Sequence, residues 1–164
     1  MHRETSRIDG APMSDLTANK RLPAEELPIG ELLHLGSHTV TEEEIIGFAQ
    51  QWDPQYFHVD PEAAANSEFG GIIASGIHTA AIFQRLCVEN LFNRYDIIAG
   101  REVSQLRFER PVFAGTALHG KATINSVQPA GPGRAIFSST GVLTDSAGRP
   151  VLSLVIDALI RSRK

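Results

Sequence analysis

The stretch "SGIHTAAIFQRLCVENLF" (residues 75–92) constrains the fold of this chain more than any other. Its length allows about five helical turns. Ile77, Ala80, Ala81, Ile82, Phe83, Leu86, Cys87, Val88, Leu91 and Phe92 would occupy most of the helix circumference, leaving a narrow polar stripe of His78, Arg85 and Glu89. A helix that is apolar on nearly every side needs cover from several directions, so the rest of the chain must supply a layer that curls around it. The C-terminal half has suitable material. Leu118, Gly120, Ala122 and Ile124 alternate with His119, Lys121, Thr123 and Asn125, and Leu152, Leu154, Ile156, Ala158 and Ile160 alternate through the last segment, as half-buried strands do. "QPAGPG" (128–133) and "DSAGRP" (145–150) carry turn residues, which makes 115–161 a meander of three strands. Further strands are expected at about 29–39 and 102–110. The predicted fold class is α+β, an antiparallel five-stranded sheet wrapped around a long central helix, with short overhanging helices before it.

Those short helices are readable from their ends. "TEEEIIGFAQQW" opens with Thr41 and has Glu44 three residues later, the capping-box spacing, while Ile45, Phe48, Ala49 and Trp52 recur at helical intervals. The helix must stop near Asp53, because Pro54 drives the residue before it out of the helical region. Asp60 then caps and Pro61 opens a second short helix, which leaves His58 in a constrained loop between two helix ends. Residues 1–26 hold few large apolar side chains and are expected to form a flexible tail ahead of a single domain at 27–164, with Met13 an alternative start.

Composition excludes several classes of partner. A net charge of −4 offers no basic excess for nucleic acid. Cys87 is the only cysteine, so neither an intrachain disulfide nor a cysteine metal cluster can form. No apolar run reaches the roughly 20 residues of a membrane span, and the N-terminus lacks the apolar centre of a secretory signal. A cytoplasmic protein with no membrane partner is expected.

Two segments carry candidate chemistry. Asp53 and His58 are too far apart to be neighbours on one helix face, but a chain bent at Pro54 can turn both side chains into one pocket, where an aspartate and an imidazole could hold and activate a water. Alternatively, Asp53 closes a turn and His58 packs beneath it. In "FGGIIASGIH" (69–78), Ser75 and Gly76 precede the apolar helix, so its first N–H groups can point at a developing oxyanion, or Ser75 can simply cap. His58, Asp60 and His78 form a conceivable metal set without any supporting motif.

The segments "FAQQWDPQYFHVDPEAA" (48–64), "FGGIIASGIHTAA" (69–81) and "LRFERPVFAGT" (106–116) together resemble the MaoC-like acyl dehydratase family, which includes (R)-specific enoyl-CoA hydratases and has the hotdog fold. The resemblance spans about residues 29–162. It implies reversible syn hydration of a trans-2-enoyl thioester, with Asp53 and His58 as the catalytic pair and the Gly76 N–H meeting the thioester carbonyl. Ser75 and Gln55 join Gly76 as candidate oxyanion or substrate contacts. Phe83 and Leu86 are expected to set pocket depth, and Arg94, Arg101, Arg107, Arg110 and Lys121 are candidates for meeting CoA phosphates. The implied partners are an acyl-CoA or acyl-carrier thioester and further copies of the chain, in a homodimer or a higher homo-oligomer; no cofactor or metal is implied. Rivals are a hotdog acyl-CoA thioesterase and a non-catalytic acyl-CoA-binding protein. The first would want an acid on or near the central helix, yet 69–88 contains no Asp or Glu.

Overall fold

A computed structural model describes residues 20–164. In chain order the elements are β1 (Leu32–Thr39), α1 (Glu42–Trp52), α2 (Tyr56–Val59), α3 (Pro61–Ala65), α4 (Gly76–Asn90), β2 (Ile97–Phe108), β3 (Ala117–Pro129), β4 (Arg134–Thr144) and β5 (Pro150–Arg161). The five strands form one antiparallel sheet in the order β1-β3-β4-β5-β2. α4 lies on its inner face, which is the hotdog arrangement predicted. β3, β4 and β5 are the expected meander; β1 adds to one side and β2 to the other, so β1 and β2 are the sheet edges.

The sheet approaches the helix closely because its centre is paved with small residues. Gly120 and Ala122 on β3 and Gly141 on β4 are near neighbours in the ladder, Ala122 pairing with Gly141. A Cβ at Gly120 would sit 3.1 Å from Leu86, and one at Gly141 would overlap the Phe83 ring. Phe83 and Leu86 therefore press into the sheet and belong to the core with Leu35, Ile45, Leu118, Ile124, Phe137, Leu152 and Ile160. Phe83, expected to set pocket depth, is instead buried beneath α4.

Cover is less complete than the apolar composition of α4 implied. Its buried residues are His78, Thr79, Ile82, Phe83, Leu86 and Cys87, whereas Ile77 and Ala81 are exposed. The anticipated polar stripe is also broken, since His78 turns inward. The boundary at residue 27 shifts too. Leu22 pairs with Tyr95, Ala24 packs into the core, and Glu25 and Glu26 bond Ser162 and Arg163 near the C-terminal end of β5. Those contacts hold residues 22–26 against the body; residues 1–19 of the expected tail lie outside the described residues.

Replacing Gly141 by Ala should be destabilising by about 1–3 kcal/mol, because the new methyl meets a fully packed ring. Gly100→Ala, where none of the described residues lies within 4 Å of the added Cβ, should stay within about 0.5 kcal/mol of the parent. Equal denaturant midpoints for the two variants would contradict this account of the helix–sheet contact.

Candidate active site

α1 ends where the sequence requires. Asp53 is its C-cap, with φ −156° and ψ 69°, and its N–H still bonds the Ala49 carbonyl at 2.9 Å. At the other end of α1 the Thr41–Glu44 capping box forms in full. Beyond Pro54 the chain makes a single helical turn, α2, rather than the loop expected from sequence, with the His58 N–H bonded to the Gln55 carbonyl at 2.9 Å. This turn brings His58 back beneath Asp53.

His58 is 4% exposed. Its Nδ1 lies 2.6 Å from the carbonyl oxygen of Ile73. A carbonyl can only accept, so Nδ1 carries a proton, and a ring with that single proton presents the Nε2 lone pair. Ile73 is itself fixed, its N–H donating to the Phe57 carbonyl at 3.2 Å. Nε2 faces Asp53 Oδ2 at 3.4 Å, longer than an ordinary hydrogen bond. In the neutral ring, both of these atoms are acceptors.

The Asp53 carboxylate is held by two donors. Oδ2 accepts from Ser75 Oγ at 2.7 Å and Oδ1 from Gln55 Nε2 at 2.9 Å. Ser75 foremost, then Gln55, keep its pKa below the ordinary carboxylate value despite some desolvation, and His58 pulls in the same direction when its ring is protonated. Ser75 is fully buried and also caps α4, accepting from the Ile77 N–H at 3.3 Å. One hydroxyl thus starts the central helix and fixes the acid.

Gly76 occupies the first helical position of α4, where its N–H has no acceptor within the helix. With His58 it lines a cleft of about 280 Å³, whose walls include Ile73, Thr79, Phe108 and Arg110. The structure therefore brings Asp53, His58, Ser75, Gln55 and Gly76 into one locality, with Ser75 and Gln55 directed at Asp53 rather than at the cleft. Of the candidate phosphate contacts, Arg110 borders this cleft; Arg94, Arg101, Arg107 and Lys121 do not line it. Among the described residues no three His, Cys, Asp or Glu side chains assemble a metal set, and Asp60 is occupied in capping α3 through the Glu62 and Ala63 N–H groups.

Sequence reasoning missed Ile73, Thr79 and Phe108. Ile73 acts through a main-chain carbonyl, which leaves no side-chain signal. Thr79 follows Ser75 by four residues, and that spacing was a legible cue: its hydroxyl donates to the Ser75 carbonyl at 3.2 Å.

A second cavity, of about 320 Å³, is lined by His38, Glu44, His78 and Arg85 among others. His38 Nε2 meets the Glu44 carboxylate at 3.1 Å. His78 is 7% exposed and stacks on Phe48 of α1, with ring centroids 4.6 Å apart and planes inclined by 9°. Among the described residues its buried Nδ1 finds no hydrogen-bond partner. Burial lowers its pKa, the Glu44 charge opposing this and His38 reinforcing it.

Comparison with known proteins agrees with this architecture. The family model described as "MaoC like domain" matches residues 26–139. The chain belongs to the MaoC-like dehydratase family. It is 41% identical over 105 residues to the uncharacterized protein YdeM of Bacillus subtilis, covering 64% of this chain and 74% of that one. It is 30% identical over 126 residues to 3-hydroxyacyl-thioester dehydratase Z of Mycobacterium tuberculosis, covering 75% and 82%. The MaoC-like dehydratase of Rhodospirillum rubrum superposes with a TM-score of 0.77 at 33% identity, over 87% of this chain and 99% of that one. Among the described residues no helix is long and apolar enough to cross a membrane.

The His78 geometry predicts a pH-dependent stability. Because its folded-state pKa is lowered, the unfolded chain takes up the proton more readily, so stability falls as pH drops through the unfolded value of about 6.5. His78→Phe keeps the stack and removes the titration. The Tm of this variant relative to the parent should rise progressively from pH 8 to pH 5.5; a constant difference would refute the assignment.

Proposed function

We propose that the protein adds water reversibly to the double bond of a trans-2-enoyl thioester, with Asp53 and His58 as the water-binding pair. The observation that carries this reading is the pair of acceptors, His58 Nε2 and Asp53 Oδ2, 3.4 Å apart with the imidazole proton committed to Ile73. Two such acceptors match the two hydrogens of one water. As the water oxygen bonds C3, Nε2 takes one hydrogen and the π electrons move toward the carbonyl, forming an enolate. The Gly76 N–H meets that oxygen at the positive end of α4. The imidazolium, faced by the ionised Asp53, then returns the proton to C2 on the same face. Ser75 and Gln55 serve as positioning residues for Asp53. Likeness to the mycobacterial 3-hydroxyacyl-thioester dehydratase supports a thioester substrate, carried on CoA or an acyl carrier.

The same reading extends to assembly. β2 is an open sheet edge with Ile98 and Val103 exposed, and Trp52, Ile77 and Phe108 are exposed on segments that build the site. These features support a homodimer that covers the edge. Light scattering should return twice the mass of the chain, and a monomer at micromolar concentration would contradict it.

For the chemistry, a short trans-2-enoyl-CoA should lose its conjugated thioester absorbance without release of free thiol. Asp53→Asn and His58→Asn should each lower kcat by about 10²–10⁴-fold, Asp53→Asn with little change in Tm. Thiol release would instead indicate a thioesterase, and full activity in Asp53→Asn would overturn the mechanism.

A further inference from the structure

The most unusual backbone conformation near the site lies in β2. Gln105 has φ +51°, a left-handed value for a residue with a full side chain. It sits in a bulge: Ser104 pairs with Val155 and Arg107 with Ser153, so Gln105 and Leu106 together oppose Leu154. The consequence is a change of face. Val103 pairs with Ile156 and Phe108 with Leu152, both of which are buried on the α4 side of the sheet. Phe108 lies five positions after Val103, and an unbroken strand would place them on opposite faces, turning Arg107 toward α4. The bulge turns Phe108 inward instead.

Phe108 arrives directly over Gly76. A Cβ built on Gly76 would lie 2.6–2.8 Å from three atoms of the Phe108 ring. The ring thus uses the space that the absent side chain leaves, and it forms one wall of the His58–Gly76 cleft. It is nevertheless 54% exposed in the single chain and lies outside the core cluster, so packing within the protomer's core does not explain its position. Facing walls come from Ile73 and Val112, which are buried, and from Thr79, whose hydroxyl is tied to Ser75.

We propose that Phe108 limits substitution at the carbon beside the thioester carbonyl, so that the site selects linear acyl chains over chains branched at C2. This rests on the placement of the thioester carbonyl at Gly76. A carbonyl oxygen about 2.9 Å from the Gly76 nitrogen brings C1 and C2 alongside the ring that already touches Gly76. A methyl on C2 then has to displace either the ring or the chain. Strain at Gln105 is consistent with a backbone held in place for this contact.

The test uses saturated thioesters, which bind without being hydrated. Dissociation constants for butanoyl-CoA and 2-methylbutanoyl-CoA are measured by calorimetry on the parent protein and on Phe108→Ala, Phe108→Leu and Phe108→Trp, with Tm followed for each. The parent should favour the linear ligand by about tenfold or more, the scale of discrimination available from one methyl group. Phe108→Ala should reduce that preference to about threefold or less through tighter binding of the branched ligand; Phe108→Leu should be intermediate and Phe108→Trp should preserve it. A parent ratio near one, or a ratio unchanged in Phe108→Ala, overturns the role of Phe108. Failure to bind either ligand overturns it together with the thioester reading. Turnover of a trans-2-enoyl-CoA by the same parent preparation separates the two ideas: discrimination without turnover retains Phe108 and removes the hydratase, and turnover with an unchanged ratio does the reverse.

Discussion

The hydrogen bond from Ser75 Oγ to Asp53 Oδ2, at 2.7 Å, joins the two helices on which the site is built. Asp53 terminates α1 and Ser75 begins α4, so the bond fixes the end of one helix against the start of the other. It also orients the acid, because the second oxygen is taken by Gln55. His58 is added through a separate attachment, its Nδ1 on the Ile73 carbonyl in the segment leading into α4. Acid, imidazole and the Gly76 N–H are thereby all referred to one helix terminus. Groups that must act on adjacent atoms of a substrate gain most from such a shared origin, since small displacements erode rate steeply.

Apolar packing and polar placement are divided along α4. Toward the sheet, Phe83 and Leu86 meet Gly141 and Gly120, and close approach there carries the stabilising burial. Toward α1, the helix presents Ser75 and His78, each buried, one engaged with Asp53 and the other stacked on Phe48. Burying a ring nitrogen without a partner has a cost, which a phenylalanine would avoid. α1 is therefore seated on α4 at two places, the stack and the Ser75–Asp53 bond, while its first turn is held by the Thr41–Glu44 box and the His38 contact.

Much of this was legible in the residues. Strand alternation in 117–125 and 152–160, the capping box at Thr41, the stop at Pro54 and the Asp60–Pro61 start all reflect local physics and recur in the structure. The resemblance to the MaoC-like family supplied the pairing of Asp53 with His58 that spacing alone left open. What escaped was decided over longer range. His78 turns inward because Phe48, thirty positions earlier, offers it a stacking face. Glu25 and Glu26 are held by Ser162 and Arg163 just past β5, a contact that nothing in the local sequence signals. Phe108 faces the cleft because of a bulge, and one extra residue in a strand defeats any argument from alternation.

Water binding by the pair depends on which nitrogen of His58 carries the proton, since a water can be shared with Asp53 only if Nε2 is free to accept. The ¹⁵N spectrum of the protein with labelled histidine, recorded where the His58 ring is singly protonated, measures this directly. With Nδ1 bonded to the Ile73 carbonyl, the expected form is the Nδ1–H tautomer, with the deshielded resonance of an unprotonated Nε2 and a through-ring correlation pattern to match. A ring protonated at Nε2 would contradict it, because the Ile73 carbonyl would then face a lone pair and the proton would point at Asp53 in place of a water.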